Sequence, residues 1–394
     1  MKKYFVFMIV IIVTCSTGED NKIDLIKVIM HDKPDEYLDS LINLEGKSDY
    51  SNFLCVFTTT YMNKCELSEY YFKNYIYKDS AYMFASMGFI HLCKSELSEA
   101  EKKFNLAVKK FDKRVDRIWP LYGLANVYSI RGLDSIAKFN YEKCYQIDSI
   151  NPYVNEHYFN SIVPSNKISD IKRLESLLSY FRNNFELDIY LFKKGIFYAY
   201  QAKNSEGKLK KENREIAIQS FYDCINTYEG YYDAYISLTN LLFMENRLSE
   251  IYKIIDKSKK LFKSDPLLLS IESELLFKIN KKNEADSVIN IALKGHNNDI
   301  NILIRAIYIK LVLNKLKETK ELVEKAKNLS GESFDIELYD AIIKFKENKN
   351  SNSILIVLNK YMHGEDQIQF VKRVLTENNI DHKQFFDSES PNDK

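Results

Sequence analysis

The chain has 394 residues, room for two or three compact domains or one extended one, and its 11 glycines and 6 prolines are too few for a turn-rich all-β protein. With 56 basic against 55 acidic residues it carries no field of one sign that would recruit nucleic acid, so no nucleic-acid partner is expected. Its 28 tyrosines and 24 phenylalanines exclude a disordered composition; tryptophan occurs once, at Trp119.

The chain opens with Lys2 and Lys3 and an apolar run from Tyr4 to Val13, too short to span a bilayer as a helix. This is the pattern of a secretory signal. Ile12-Val13-Thr14-Cys15 resembles a bacterial lipobox, in which the signal (1–14) is removed and Cys15 is lipidated; Thr14 departs from the small residue usual before the cysteine. The alternative is a soluble exported protein cleaved after Ser16-Thr17-Gly18. Ser16 to Asp20 resembles the acidic export tether of Bacteroidetes-type envelope lipoproteins. The lipobox reading implies an outer-membrane location through the N-terminal lipid. Residues 15–50 hold this tether and a looser helical pair, Ile23 to Met30 and Asp35 to Leu44.

From Ser51 onward the chain repeats itself. A first unit places Leu54, Phe57 and Tyr61 ahead of Tyr70. The next, from Ala81, sets Met87, Gly88 and His91 on one helix and Ala100, Phe104 and Ala107 on a second. From Ile118, Leu124, Ala125 and Tyr128 share a face, Arg131-Gly132 turn the chain, and Ala137, Tyr141 and Cys144 follow at helical spacings of four and three. Asn151-Pro152 caps and opens a fourth unit, whose pattern is degenerate. A unit from Asp188 carries Gly195, Tyr198, Ala217 and Phe221 and is interrupted near Lys203 to Asn213, read as a charged, solvated loop. Units from Tyr232, Pro266 and Ile300 are 34 residues apart. Ala285, Ile289 and Ala292 repeat the second-helix pattern, as do Thr319, Val323, Ala326 and Leu329. A degenerate unit from Phe334 precedes a capping helix, Asp366 to Glu377, and a frayed tail, Ser388 to Lys394.

This period and residue order resemble the tetratricopeptide repeat. The resemblance implies an all-α fold: an α-solenoid of about nine helix pairs (51–361, with the insertion at 203–213) wound as a right-handed superhelix, closed by a C-terminal segment (362–394). One pair cannot bury both its apolar stripes; stacking the next pair on it does. Cys144 and Cys224 stand where other units use Ala107 and Ala292, so they read as buried small hydrophobes. Five cysteines after Cys15, without CxxC spacing, make neither a disulfide framework nor a zinc site, although Cys65 and Cys93 sit near turns of successive units and leave room for one bridge.

No phosphate loop, HExxH or GxSxG occurs, and the histidines His31, His91, His157, His296, His363 and His382 are scattered. The expectation is a non-enzyme with no cofactor, no metal and no catalytic residues. The first helix of each pair lines the inner surface of such a solenoid. The positions there that packing does not claim are Tyr82, Phe89, Trp119, Tyr122, Asn126, Tyr153, Asn160, Phe192, Tyr200, Asn240 and Phe243. Aromatic rings beside asparagine amides, which both donate to and accept from a peptide backbone, suit a protein or peptide partner. Trp119 can equally be core. The resemblance thus implies an interaction scaffold in a bacterial envelope; the alternative is a glycan-capturing surface lipoprotein, whose aromatic faces stack on sugars.

Overall fold

The computed structural model describes residues 48–73, 79–295, 298–330, 333–349, 351–361 and 365–386. The signal, Cys15, the tether, the helical pair at 23–44 and the tail from 388 lie outside the described residues.

Among the described residues the chain is built of helices in sequential pairs. They are α1 (Asp49–Tyr61) with α2 (Cys65–Phe72), α3 (Ala81–Cys93) with α4 (Leu97–Lys110), α5 (Ile118–Ile130) with α6 (Asp134–Ile147), α7 (Pro152–Ile162) with α8 (Ile168–Asn184), and α9 (Leu187–Lys203) with α10 (Gly207–Thr227). There follow α11 (Tyr232–Met244) with α12 (Leu248–Leu261), α13 (Pro266–Lys278) with α14 (Lys282–Gly295), α15 (Ile300–Val312) with α16 (Leu316–Ser330), and α17 (Phe334–Asn348) with α18 (Asn352–Tyr361). Two further helices, α19 (Glu365–Glu377) and α20 (Lys383–Phe386), close the described chain. Two compact units result, divided between Ala217 and Ile218. Each contains a core of its own.

Local chemistry sets the starts and stops. Ser80, Asn151, Asp265 and Asp299 cap first helices by accepting from backbone N–H groups one turn on, and Ser48 and Ser51 cap α1 reciprocally. Pro152 and Pro266 occupy the first helical position, where a missing N–H costs nothing. The turn between the two helices of a pair repeats one device. A single left-handed residue reverses the chain: Asn63, Ser95, Gly132, Asn246, Asn280, Asn314 and Lys349 all have φ between 54° and 71°. Asparagine tolerates that region better than other non-glycine residues, which is why it recurs there.

The packing positions read from the repeat are filled as expected. Ala100, Phe104, Ala107, Ala137, Tyr141, Cys144, Ala217, Phe221, Cys224, Ala285, Ile289, Ala292, Val323 and Ala326 are all buried. A side chain at Gly88 would put its Cβ 2.5 Å from the Phe104 ring, so the small residue is required by close approach.

Three expectations change. Leu329 is exposed rather than packed. The segment 203–213 is not a loop: α9 and α10 extend to 17 and 21 residues, against 13 and 14 for α5 and α6, leaving only Asn204 to Glu206 between them. Lys208 to Arg214 contains no proline or glycine and is rich in strong helix formers, so the extra residues prolong helix rather than bulge. Third, Cys65 at the start of α2 and Cys93 at the end of α3 are disulfide-bonded, with Cα atoms 5.9 Å apart. Cys55, Cys144 and Cys224 remain buried free thiols. No described helix is long and apolar enough to cross a membrane.

Candidate protein-binding surface

In the first unit α1 packs beside α3 and α3 beside α5, as first helices lining the inner side of such a stack do. The aromatic residues expected on that side are there, but most are covered. Phe53, Phe57 and Tyr61 recur every fourth residue on α1 and lay one face of that helix across α3, α5 and α7. The Phe57 ring lies 5.0 Å from Phe89, 4.9 Å from Trp119 and 5.3 Å from Tyr153. Trp119 is only 7 % exposed, and Phe89, Tyr122 and Tyr153 are buried too. These four rings belong to the core rather than to an open groove. The physical reason is that the helix preceding them is as aromatic as they are, and edge-to-face stacking plus burial outweighs leaving them in water.

Beyond the C-terminal end of α1 the inner surface opens. Tyr61 is 45 % exposed and packs its ring edge-on to Tyr153 at 5.4 Å. Burial, and then the charge of Glu156, push its hydroxyl up to about 12. On α7, Glu156 points to the Lys193 ammonium of α9 at 2.8 Å. Burial works against ionisation of Glu156, but the charge and hydrogen bond of Lys193 outweigh it and hold the carboxyl below its usual range. Lys193 is itself buried, its ammonium 5.7 Å from the Phe159 ring centre and 3.5 Å from the Asn160 side-chain oxygen. His157 donates from Nδ1 to the Tyr153 carbonyl at 3.1 Å, and the Tyr122 hydroxyl lies 3.2 Å from the same nitrogen. Burial lowers the His157 pKa, against the opposing pull of Glu156. The ring therefore stays neutral at neutral pH.

The asparagines have unlike surroundings. Asn126 is half-buried and accepts from the Tyr141 hydroxyl at 2.5 Å. Asn160 is exposed at the rim. Asn240, in the second unit, is exposed and accepts from Arg305 Nη2 at 2.9 Å. Tyr82 is half-buried, 4.8 Å from the Phe111 ring; Phe192, Tyr200 and Phe243 are half-buried. The inner side of the second unit is charged rather than aromatic. Arg305 pairs with Glu274 at 3.1 Å, and Lys278 and the Tyr308 hydroxyl both reach Glu377 of α19, at 3.1 Å and 2.5 Å.

Sequence reasoning passed over Tyr61, Glu156, His157 and Lys193. No recurring pattern marked them: His157 and Lys193 fall five residues after their unit starts, where other units carry Gly123, Ile271 or Arg305. Among the described residues no three His, Cys, Asp or Glu side chains gather to hold a metal ion. His91 pairs with Glu96 at 2.5 Å near the α3–α4 turn.

The described helices thus stack as 34-residue-type hairpins around small residues, and a solved structure matches that arrangement. The chain has a tetratricopeptide-repeat-like fold. The match is a tetratricopeptide repeat protein from Parabacteroides merdae ATCC 43184, at a TM-score of 0.50 and 17 % identity, covering 68 % of this chain and 99 % of that one. Yeast Tom70 aligns with a TM-score of 0.46 and 13 % identity over 92 % of this chain and 88 % of its own. No protein-family model and no curated protein matches the chain.

Proposed function

We propose that this protein is a non-enzymatic interaction scaffold, exported to a bacterial envelope and held there by lipid on Cys15, which binds a protein or peptide partner on the inner surface of its helix pairs. The observation that carries the reading is the rim formed by Tyr61, Tyr153, Glu156, Asn160 and Lys193, where an exposed ring and an exposed amide sit beside a half-desolvated ion pair. That mixture suits an extended peptide, with the amide taking its backbone and the ring an apolar side chain. The Cys65–Cys93 bridge supports export, because such bonds persist in oxidising compartments. The glycan-capture alternative loses support from the burial of Trp119, the strongest sugar-stacking ring in the chain.

The test is a pull-down with a Tyr61→Ala/Asn160→Ala double variant against the native protein, from envelope extract of the source bacterium, with circular dichroism to confirm folding. Both positions are exposed, so the fold should survive. A partner retained at the native level by the folded double variant would move the site away from this rim. Mass spectrometry of the native N-terminus should find lipid on Cys15; an unmodified N-terminus at Glu19 would show a soluble exported protein instead.

A further inference from the structure

Helix α19 does more than close the end of the second unit. Its Phe370 ring lies 6.1 Å from that of Phe334, the first residue of α17. Further along, Glu377 accepts from the Tyr308 hydroxyl of α15 at 2.5 Å and from the Lys278 ammonium of α13 at 3.1 Å, one donor to each carboxylate oxygen. Between these ends Val371, Val374 and Leu375 are buried in the core of the unit. A helix that only covered the last pair would touch α17 and α18. This one reaches the first helices of three successive pairs. In the first unit α1 does the same, laying Phe57 against Phe89 of α3, Trp119 of α5 and Tyr153 of α7. Each unit by itself thus has its inner side filled by a helix of its own chain.

The occupant shows what this groove accepts. Phe370, Val371, Val374 and Leu375 stand three and four residues apart and make one apolar stripe, with Glu377 at the end of the helix. Among the described residues, the Lys278 ammonium without that carboxylate would keep only the Tyr308 side chain, whose hydroxyl is 2.9 Å away. A fixed cation beside a buried hydroxyl, at one end of an apolar groove, asks for an acid there. Release of α19 breaks no helix pair, because stacking is between neighbours and only α20 follows it among the described residues. We propose that the inner groove of the second unit is a docking site for a partner's amphipathic helix, one whose apolar stripe ends in a carboxylate, and that α19 is the built-in competitor which such a helix displaces. Only the chain with α19 released is competent, so the partner's apparent affinity is set by the fraction of chains in that state. The site lies within the second unit and is independent of the Tyr61 rim.

The probe is a fluorescein-labelled synthetic peptide of residues 365–386, added to the soluble chain begun after residue 15 and followed by fluorescence anisotropy. Binding to the native chain should be weak, because α19 holds the groove. Val374→Asp in the chain puts a charge on the buried face of α19 and leaves the groove itself unaltered, so peptide affinity should rise by about tenfold or more. In that background Lys278→Glu should remove the gain, and a peptide carrying Glu377→Lys should restore it. Equal peptide affinity in native and Val374→Asp chains of unchanged circular dichroism would overturn the proposal. So would a gain indifferent to Lys278→Glu, which would place the peptide elsewhere. If the Val374→Asp chain loses its helicity, hydrogen exchange of the native chain decides. The amides of α19 should then exchange about tenfold or more faster than those of α15 and α17, as an element that opens by itself does. A common rate for all three would make α19 a fixed cap and overturn the proposal.

Discussion

At the scale of single residues, two side chains carry the most consequence. Trp119 was open to two readings, groove or core, and the structure places it beneath Phe57 in the core. Trp119→Ala should therefore lower stability by about 3–5 kcal/mol, read by urea denaturation followed by circular dichroism. Phe57→Ala should cost a similar amount and also shift the fluorescence of the single tryptophan to the red, since it uncovers the indole. An unshifted spectrum in that variant would mean that α1 does not cover Trp119. His157 sets the pH response of the open rim. Its pKa in the fold is lowered from the ordinary 6.5, so the unfolded chain binds its proton first. Stability from this residue is present above pH 6.5 and declines as the pH falls below it. Glu156, held below its ordinary 4.5, adds a further loss as the pH falls through its folded value. His157→Gln should flatten the first part of the acid limb and leave the second; an unchanged melting profile between pH 7 and 5 would contradict this.

At the scale of elements, the α3–α4 hairpin sets a small residue against a large one. Gly88 admits Phe104 between α3 and α4, and Gly88→Leu should cost about 1–3 kcal/mol by overpacking, measured by thermal melting. The turn at Gly132, the cap at Asn151 and most of the first-helix starts were visible in the sequence; the other left-handed turn residues and side-chain caps came from the structure. The prolonged α9 and α10 were not visible, because charged residues at 203–213 look the same on a solvated helix as on a solvated loop, and only the absence of breakers tells them apart. The Cys65–Cys93 bridge is an element-level device as well. It ties α2 to α3 across 28 residues of sequence, and in the chain-entropy model a loop of that length contributes about 3.6 kcal/mol. Reduction should lower the melting temperature of native protein while leaving a Cys65→Ser/Cys93→Ser variant unchanged.

At the scale of the whole molecule, nearest-neighbour stacking makes stability local. Val371, Val374 and Leu375 of α19 are buried in the core of the second unit, so this helix covers the end that α17 and α18 would otherwise expose. Deleting residues 362–394 should lower the unfolding midpoint seen by circular dichroism. The midpoint seen by Trp119 fluorescence, which reports the first unit, should stay in place. Coincident shifts in both signals would show that the chain melts as one body. The repeat period, the helix pairing, the capping helix and the buried cysteines were all legible in the sequence alone. They follow from local rules: caps, turn residues, and apolar spacing that each hairpin obeys by itself. Which aromatic rings stay open to a partner was not legible. An inner-face ring looks the same in sequence whether it faces water or another helix, and only the placement of α1 across α3, α5 and α7 buries Trp119 while leaving Tyr61 and Asn160 at the rim. That placement depends on contacts between residues up to a hundred positions apart, which no local pattern encodes.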